Sequence, residues 1–256
     1  MKDILADIVQ NKKQIVAEAK TNLPLNKLIP KISVDHFRMS QRIKKNCWSL
    51  IAECKLQSPA KGRLNSSHTV TQLAHIYEDN GAAMLSVHTD PHFLGSNEDF
   101  IKVRNEIKIP LLRKDFIIDE YQIYESRFLG ADAVLLIVRI LTPQQLNKFL
   151  YTAWSLGMDA LVEVHDLQDM QIALNSPAEF IGINNRNLKT FTTSIDNTID
   201  LMPHADKNRI LISESGVFTV DDVKRLQAVG CDGILVGEGL VRAENIALQS
   251  QLFSNP

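Results

Sequence analysis

Cysteine is scarce in this chain, and its placement excludes more than its number. Cys47, Cys54 and Cys231 are odd in count and never spaced C-x-x-C. That argues against a disulfide framework and against structural zinc, and it fits a reducing cytoplasm. Long apolar runs are missing as well: none approaches the ~20 residues that a membrane span needs. The first nine residues are amphipathic and lack the apolar core of a signal peptide, so a cytoplasmic protein is expected. Charge of one sign is not in excess. Lys and Arg number 28 against 30 Asp and Glu, a net charge of -2, which leaves no electrostatic footprint for nucleic acid. Lys12-Lys13 and Lys44-Lys45 are isolated pairs and read as solvated helix faces. No Gly-x-Gly-x-x-Gly follows the first apolar run, which weakens a dinucleotide-binding reading.

What is present is an alternation of strand and helix from end to end. Apolar runs near 48–54, 83–88, 109–113, 133–140, 160–165, 180–184, 210–214 and 233–237 read as strands. Between them apolar residues recur three and four apart, as at Val70, Leu73, Ile76 and Tyr77. Thr142 with Gln145 and Thr219 with Asp222 read as capping boxes that start helices. Gly130-Ala-Asp-Ala133, Gly157-Met-Asp-Ala160 and Gly230-Cys-Asp-Gly233 each end a helix, with glycine suited to the left-handed position there, and begin a strand. Strands apolar on both faces with short connections imply a parallel sheet covered by helices. Eight such units favour an α/β fold of the closed (β/α)8 type, a TIM barrel, over an open sheet. A single domain is expected, with residues 1–46 as an N-terminal helical extension and 47–256 as the barrel.

In such a barrel the chemistry lies at the carboxyl ends of the strands. The first run ends with Glu53 and Lys55, two residues apart and so on one face. Two opposite charges at the end of an apolar strand are costly to desolvate unless paired or used. The following ends carry His88-Thr-Asp-Pro-His-Phe93, Arg113-Lys114-Asp115-Phe116, Glu163, Ile183-Asn184-Asn185-Arg186, Ser213-Glu214-Ser215-Gly216 and Val236-Gly237-Glu238-Gly239. Acids, lysines, an amide and a guanidinium converging on one mouth make a catalytic site the expectation. Ser215-Gly216 and Gly237-Glu238-Gly239 follow the last two strands, where backbone amides commonly cradle phosphate. Ser58 on the first loop could complete that cup. A phosphorylated small-molecule substrate is therefore expected.

The segments Ile51–Gly62, Leu112–Ile117, Leu161–His165, Ile181–Thr190 and Ser213–Gly216 resemble the indole-3-glycerol-phosphate synthase family, with Glu-x-Lys-x-x-Ser-Pro, Arg-Lys-Asp-Phe and Gly-Ile-Asn-Asn-Arg-Asn-Leu as the specific motifs. The resemblance covers essentially the whole chain. It implies a lyase of tryptophan biosynthesis that works without metal or organic cofactor, closing the ring of 1-(2-carboxyphenylamino)-1-deoxyribulose 5-phosphate with loss of carbon dioxide and water. It implies Lys114 as general acid, Glu53, Glu163 and Lys55 as the dehydration set, and Asn184 and Ser215 as orienting groups. Arg186 with Lys55 is matched to the ring carboxylate, Phe93 and Phe116 to the walls of the aromatic ring, and Glu214 to a substrate contact. Gly216, Leu235, Gly237 and Glu238 fall on the phosphate side, Glu238 through its backbone amide. The resemblance does not fix the oligomeric state, for which a monomer is plausible.

The chain departs from the family pattern at Leu56, Gln57 and Ala60 in the first loop, and at His88 and Leu94, where the second strand commonly runs Val-Leu-Thr-Asp before paired Phe. His88 and His92 lie in what reads as a turn without a clear acidic third ligand, so no metal site is expected. His165 reads as structural. Two alternatives stand beside the main reading. One is another phosphate-binding barrel such as phosphoribosylanthranilate isomerase, which would want a Cys/Asp pair. The other is a non-catalytic sugar-phosphate-binding barrel. Cys54 should point away from the face of Glu53 and Lys55, which counts against the first.

Overall fold

Strands buried on both faces must be covered on both, and the eight apolar runs achieve this by closing on themselves. The computed structural model describes residues 4–34, 36–58, 62–187 and 192–256. Its barrel strands are β1 (Ser49–Cys54), β2 (Met84–His88), β3 (Leu111–Lys114), β4 (Ala133–Ile137), β5 (Asp159–Val164), β6 (Phe180–Asn184), β7 (Ile210–Glu214) and β8 (Gly233–Val236). Each pairs in parallel with its sequence neighbours, and β1 closes the ring against β8 through Ser49 opposite Gly233.

Alternation then sorts the side chains. Leu50, Ala52, Val87, Val134, Val162, Ile181 and Ile234 join the helix residues Leu73, Phe100, Phe149 and Leu226 in the outer core. Ile51, Met84, Leu112, Leu135, Leu161, Phe180, Ile212 and Leu235 fill the barrel interior. Met84, Met158, Met170 and Met202 are all buried fillers. The capping boxes at Thr142 and Thr219 form. Gly130, Gly157 and Gly230 take φ of 93°, 69° and 94°, a conformation that disfavours any side chain.

Three boundaries differ from the sequence reading. Residues Val138–Ile140 form a 3₁₀ turn rather than strand, because β4 stops pairing where Ile137 meets Glu163. The third strand starts at Leu111, after Pro110, and includes Lys114. Beyond Lys55 the chain leaves the barrel sheet and forms a small one of its own, Gln57–Ser58 pairing antiparallel with Gly62–Arg63.

Helices α1 (Ile4–Asn22), α2 (Leu25–Leu28) and α3 (Arg38–Arg42) precede the barrel. Val16 and Leu28 pack on Tyr121, whose hydroxyl donates to the Ala19 and Leu23 carbonyls at 3.1 and 2.9 Å. Met39 and Ile43 belong to the interior cluster, where they close the barrel floor. The expectation that both lysine pairs face solvent is corrected here. Lys13 and Lys44 are exposed, but Lys12 is buried with Nζ 2.8 Å from Asp90 and 2.5 Å from Asp115. Lys45 meets Asp232 at 2.7 Å. The extension covers those aspartates and brings the cations that pair with them, which offsets the cost of burying their charge.

Candidate active site

The alternation that fills the barrel also builds the layer above it. Two residues beyond Ile51, Leu112, Leu161 and Ile212 on the same inner face come Glu53, Lys114, Glu163 and Glu214. Asn184 stands across from Glu214, and Lys114 across from His88. An apolar floor thus carries a ring of charge at the carboxyl ends of the strands.

Lys114 is the hub. Its Nζ donates to Glu214 Oε2 at 2.7 Å and to Glu163 Oε2 at 3.1 Å. Glu53 Oε1 lies 3.1 Å from Lys55 Nζ and 3.2 Å from His88 Nε2. Two glycines make room for the acids. A Cβ at Gly182 would stand 1.9 Å from Glu214 Oε1, and one at Gly237 would stand 2.7 Å from Glu53 Oε1.

The surroundings divide the acids. Burial pushes Glu53 up, but Lys55, His88 and Lys114 outweigh it and hold the carboxyl well below its usual range. Glu163 is likewise raised by burial yet lowered on balance, by Lys114 and His165. Glu214 goes the other way. Burial, against the pull of Lys114 and with the repulsion of Glu163, lifts it to about 7. No donor among the described residues reaches Glu214 Oε1, which is where a proton is most easily carried. Lys114 is opposed by burial but driven up by Glu214 and Glu163, so it stays charged. Acids pushed apart in this way around one cation are suited to holding and moving protons.

An aromatic wall borders the cluster. Phe93 and Phe116 lie 6.2 Å apart, and Lys55 Nζ sits 5.3 Å from the centre of the Phe93 ring. On the opposite side, Ser215 and Gly216 take φ of 67° and 76°. Asn185 fixes that turn, its amide donating to Ser213 Oγ and to the Ser215 carbonyl at 2.9 Å each. Glu53, Lys55, Arg186, Ser215, Gly216, Leu235, Gly237 and Glu238 line one cleft together. The Arg186 amide donates to Asn184 Oδ1 at 2.9 Å, and its guanidinium comes within 3.9 Å of Glu238. Glu238 Oε1 accepts from Arg242 at 3.1 Å. The side chain of Ser58 and residues Pro59 to Lys61 lie outside the described residues, as do Leu188 to Phe191.

Two histidines flank the acids, and the sequence reading missed the place of one. His88 is not in a turn but is the last residue of β2, and its ring stacks on Phe93 with centroids 4.5 Å apart. His165 Nε2 lies 3.3 Å from Glu163 Oε1 and its Nδ1 3.5 Å from Asp169. The signal for His88 was available: it is four residues beyond the interior Met84 and so shares its face. His92 turns to Asp90 instead, at 2.7 Å. Cys54 belongs to the outer core, and burial pushes its thiol up, so it has no place in the mouth.

Comparison with known proteins agrees with this geometry. Among solved structures, a 3-hexulose-6-phosphate synthase from Salmonella typhimurium superposes with a TM-score of 0.64 at 16% identity, covering 80% of this chain and 96% of that one. At that identity the likeness shows the fold. Sequence relatives go further. The protein named indole-3-glycerol phosphate synthase from Alkaliphilus metalliredigens is 42% identical, covering 95% of each chain. Those so named from Legionella pneumophila (strain Paris) and Dehalococcoides mccartyi (strain CBDB1) are 42% and 43% identical, covering 96% and 95% of this chain and 96% and 97% of theirs. The family model described as indole-3-glycerol phosphate synthase matches residues 5–252. The chain belongs to the indole-3-glycerol phosphate synthase family.

Proposed function

We propose that this barrel converts 1-(2-carboxyphenylamino)-1-deoxyribulose 5-phosphate to indole-3-glycerol phosphate, as a decarboxylating lyase of tryptophan biosynthesis. The observation that carries the reading is Lys114, a charged donor held between Glu214 at 2.7 Å and Glu163 at 3.1 Å at the centre of the mouth. Ring closure forms a bond from the carboxylate-bearing aryl carbon to the C2′ carbonyl carbon. The carbonyl oxygen becomes an alkoxide, and Lys114 gives it a proton. Loss of carbon dioxide then returns the electron pair to the ring and restores aromaticity. Dehydration removes a proton by a base and expels the C2′ hydroxyl as water with a proton from an acid. Glu53 and Glu163, both held ionised, are the bases at hand, and Lys55 and Lys114 the cations.

Binding follows the walls. Phe93 and Phe116 flank the aromatic ring, and Lys55 and the planar fork of Arg186 take its carboxylate. Asn184 and Ser215 orient the sugar chain, and Glu214 touches it. The phosphate rests on the turn amides of Gly216, Gly237 and Glu238 beside Leu235, and Ser58 of the first loop is assigned to complete the cup. Three free thiols support placement in the cytoplasm.

The test is indole fluorescence on mixing the purified protein with the substrate in the presence of a chelator. A rise that vanishes in Lys114→Ala is expected. No rise, or full activity in Lys114→Ala, would overturn the reading.

A further inference from the structure

The second strand ends on a histidine for which the chemistry above has no task. His88 is 7% exposed, and its Nε2 is a buried nitrogen with no aligned hydrogen-bond partner among the described residues, 3.2 Å from Glu53 Oε1. Lys55 meets that same oxygen at 3.1 Å. The imidazole lies flat on Phe93, with 10° between the planes. The loop behind it closes tightly, since a Cβ at Gly95 would come 2.5 Å from the His88 carbonyl. The charged groups facing the ring are Glu53 and Lys55 from the first strand and its end, and Lys114 from β3. The leucine common at this point of the family pattern could fill the space but could not donate a hydrogen bond.

We propose that His88 is a positioning residue of this chain: as a neutral imidazole it turns its unpartnered Nε2–H onto the adjacent Glu53 oxygen, fixing the carboxylate beside Lys55 while its ring aligns Phe93. The inference rests on the reading of Glu53 as an acid–base group. Burial disfavours the imidazolium more than Glu53 favours it, with Lys55 and Lys114 adding repulsion, so the ring is held neutral. Lys55 is the main group that keeps Glu53 ionised, and a neutral His88 adds to it through hydrogen bonding alone. Without the donor, the Glu53 carboxyl titrates at higher pH.

The experiment is the pH–rate profile of indole formation by wild type, His88→Leu and His88→Gln. In His88→Leu the acid limb moves up by about one pH unit. At a fixed pH on that limb the variant is therefore about tenfold slower, with KM changed by less than about twofold. His88→Gln keeps an N–H donor at similar reach and restores the profile. A wild-type profile in His88→Leu, or equal impairment of both variants, overturns the proposal. His88→Asn, too short to reach Glu53, replaces the leucine variant in the same comparison if that one does not fold. Glu53→Gln separates the two levels. Full activity in Glu53→Gln removes the site reading itself, whereas an inactive Glu53→Gln beside an unaltered His88→Leu removes this inference alone.

Discussion

The two ends of the barrel use the same residue types to opposite effect. At the amino ends of the strands, Asp132 accepts the Leu111 amide at 2.8 Å, Arg104 at 2.9 Å and Arg38 at 3.1 Å. Asp232 takes the Leu211 amide at 2.9 Å, the Asn46 amide at 2.8 Å and Lys45 at 2.7 Å. These carboxylates tie strands to the extension and have their donors supplied. At the carboxyl ends, Glu163 and Glu214 share one lysine, and Glu214 keeps an oxygen that no described donor reaches. A satisfied buried acid stabilises the fold; an unsatisfied one stores the capacity to take a proton. Asp159 is intermediate. Burial lifts it to about 6, with the Ser40 amide at 2.9 Å pulling the other way.

The comparison is broken most sharply at the hub. Lys114→Ala should lower kcat by about 10²–10⁴-fold while leaving the circular dichroism spectrum unchanged. Asp232→Ala should do the reverse. It strands Lys45 and two amides, so urea unfolding should show a loss of about 3–5 kcal/mol, with kcat of the folded fraction unchanged. Equal losses of activity and stability in either variant would erase the distinction between the two ends. Gly182→Ala tests the room made for the charged layer. A methyl 1.9 Å from Glu214 Oε1 must displace the acid, and about a hundredfold loss in kcat is expected. Arg186→Ala should raise KM about tenfold, with kcat nearly kept; a fall in kcat alone would move Arg186 from carboxylate capture into the chemistry.

The smallest effect concerns pH. Glu214 is lifted from 4.5 to about 7, so the folded protein holds a proton that the unfolded chain has already lost. Its contribution to stability is full below 4.5 and is lost as pH rises through about 7. Glu214→Gln removes that loss. Its melting temperature relative to wild type should therefore improve by about 5–10 °C between pH 5 and pH 8. A constant difference across that range would show that Glu214 is ionised throughout.

Much of this was legible because barrel strands obey a period of two. Glu53, Lys114, Glu163 and Glu214 each stand two residues beyond an apolar interior residue, and so the charged layer could be read before any coordinates. The glycine joints at Gly130, Gly157 and Gly230 were equally plain, because only a residue without Cβ sits easily at those φ values. The aspartates in the same joints were not. Their meaning lies in partners far away in sequence, such as Arg38 for Asp132 and Lys45 for Asp232. Lys12 failed for the same reason: on its helix it looks like half of a solvated pair, and only docking against Asp90 and Asp115 buries it.

Local sequence by itself thus determined the elements, their closure into a parallel barrel, and which side chains face inward at its mouth. Those properties follow from periodicity, caps and turn sterics, which act between near neighbours. The pairing of charges was decided by tertiary structure alone. Lys114 reaches across 100 residues of sequence to Glu214, and Lys45 across 187 to Asp232. Which acid keeps its proton depends on the summed burial and field of groups that only the closed barrel brings together.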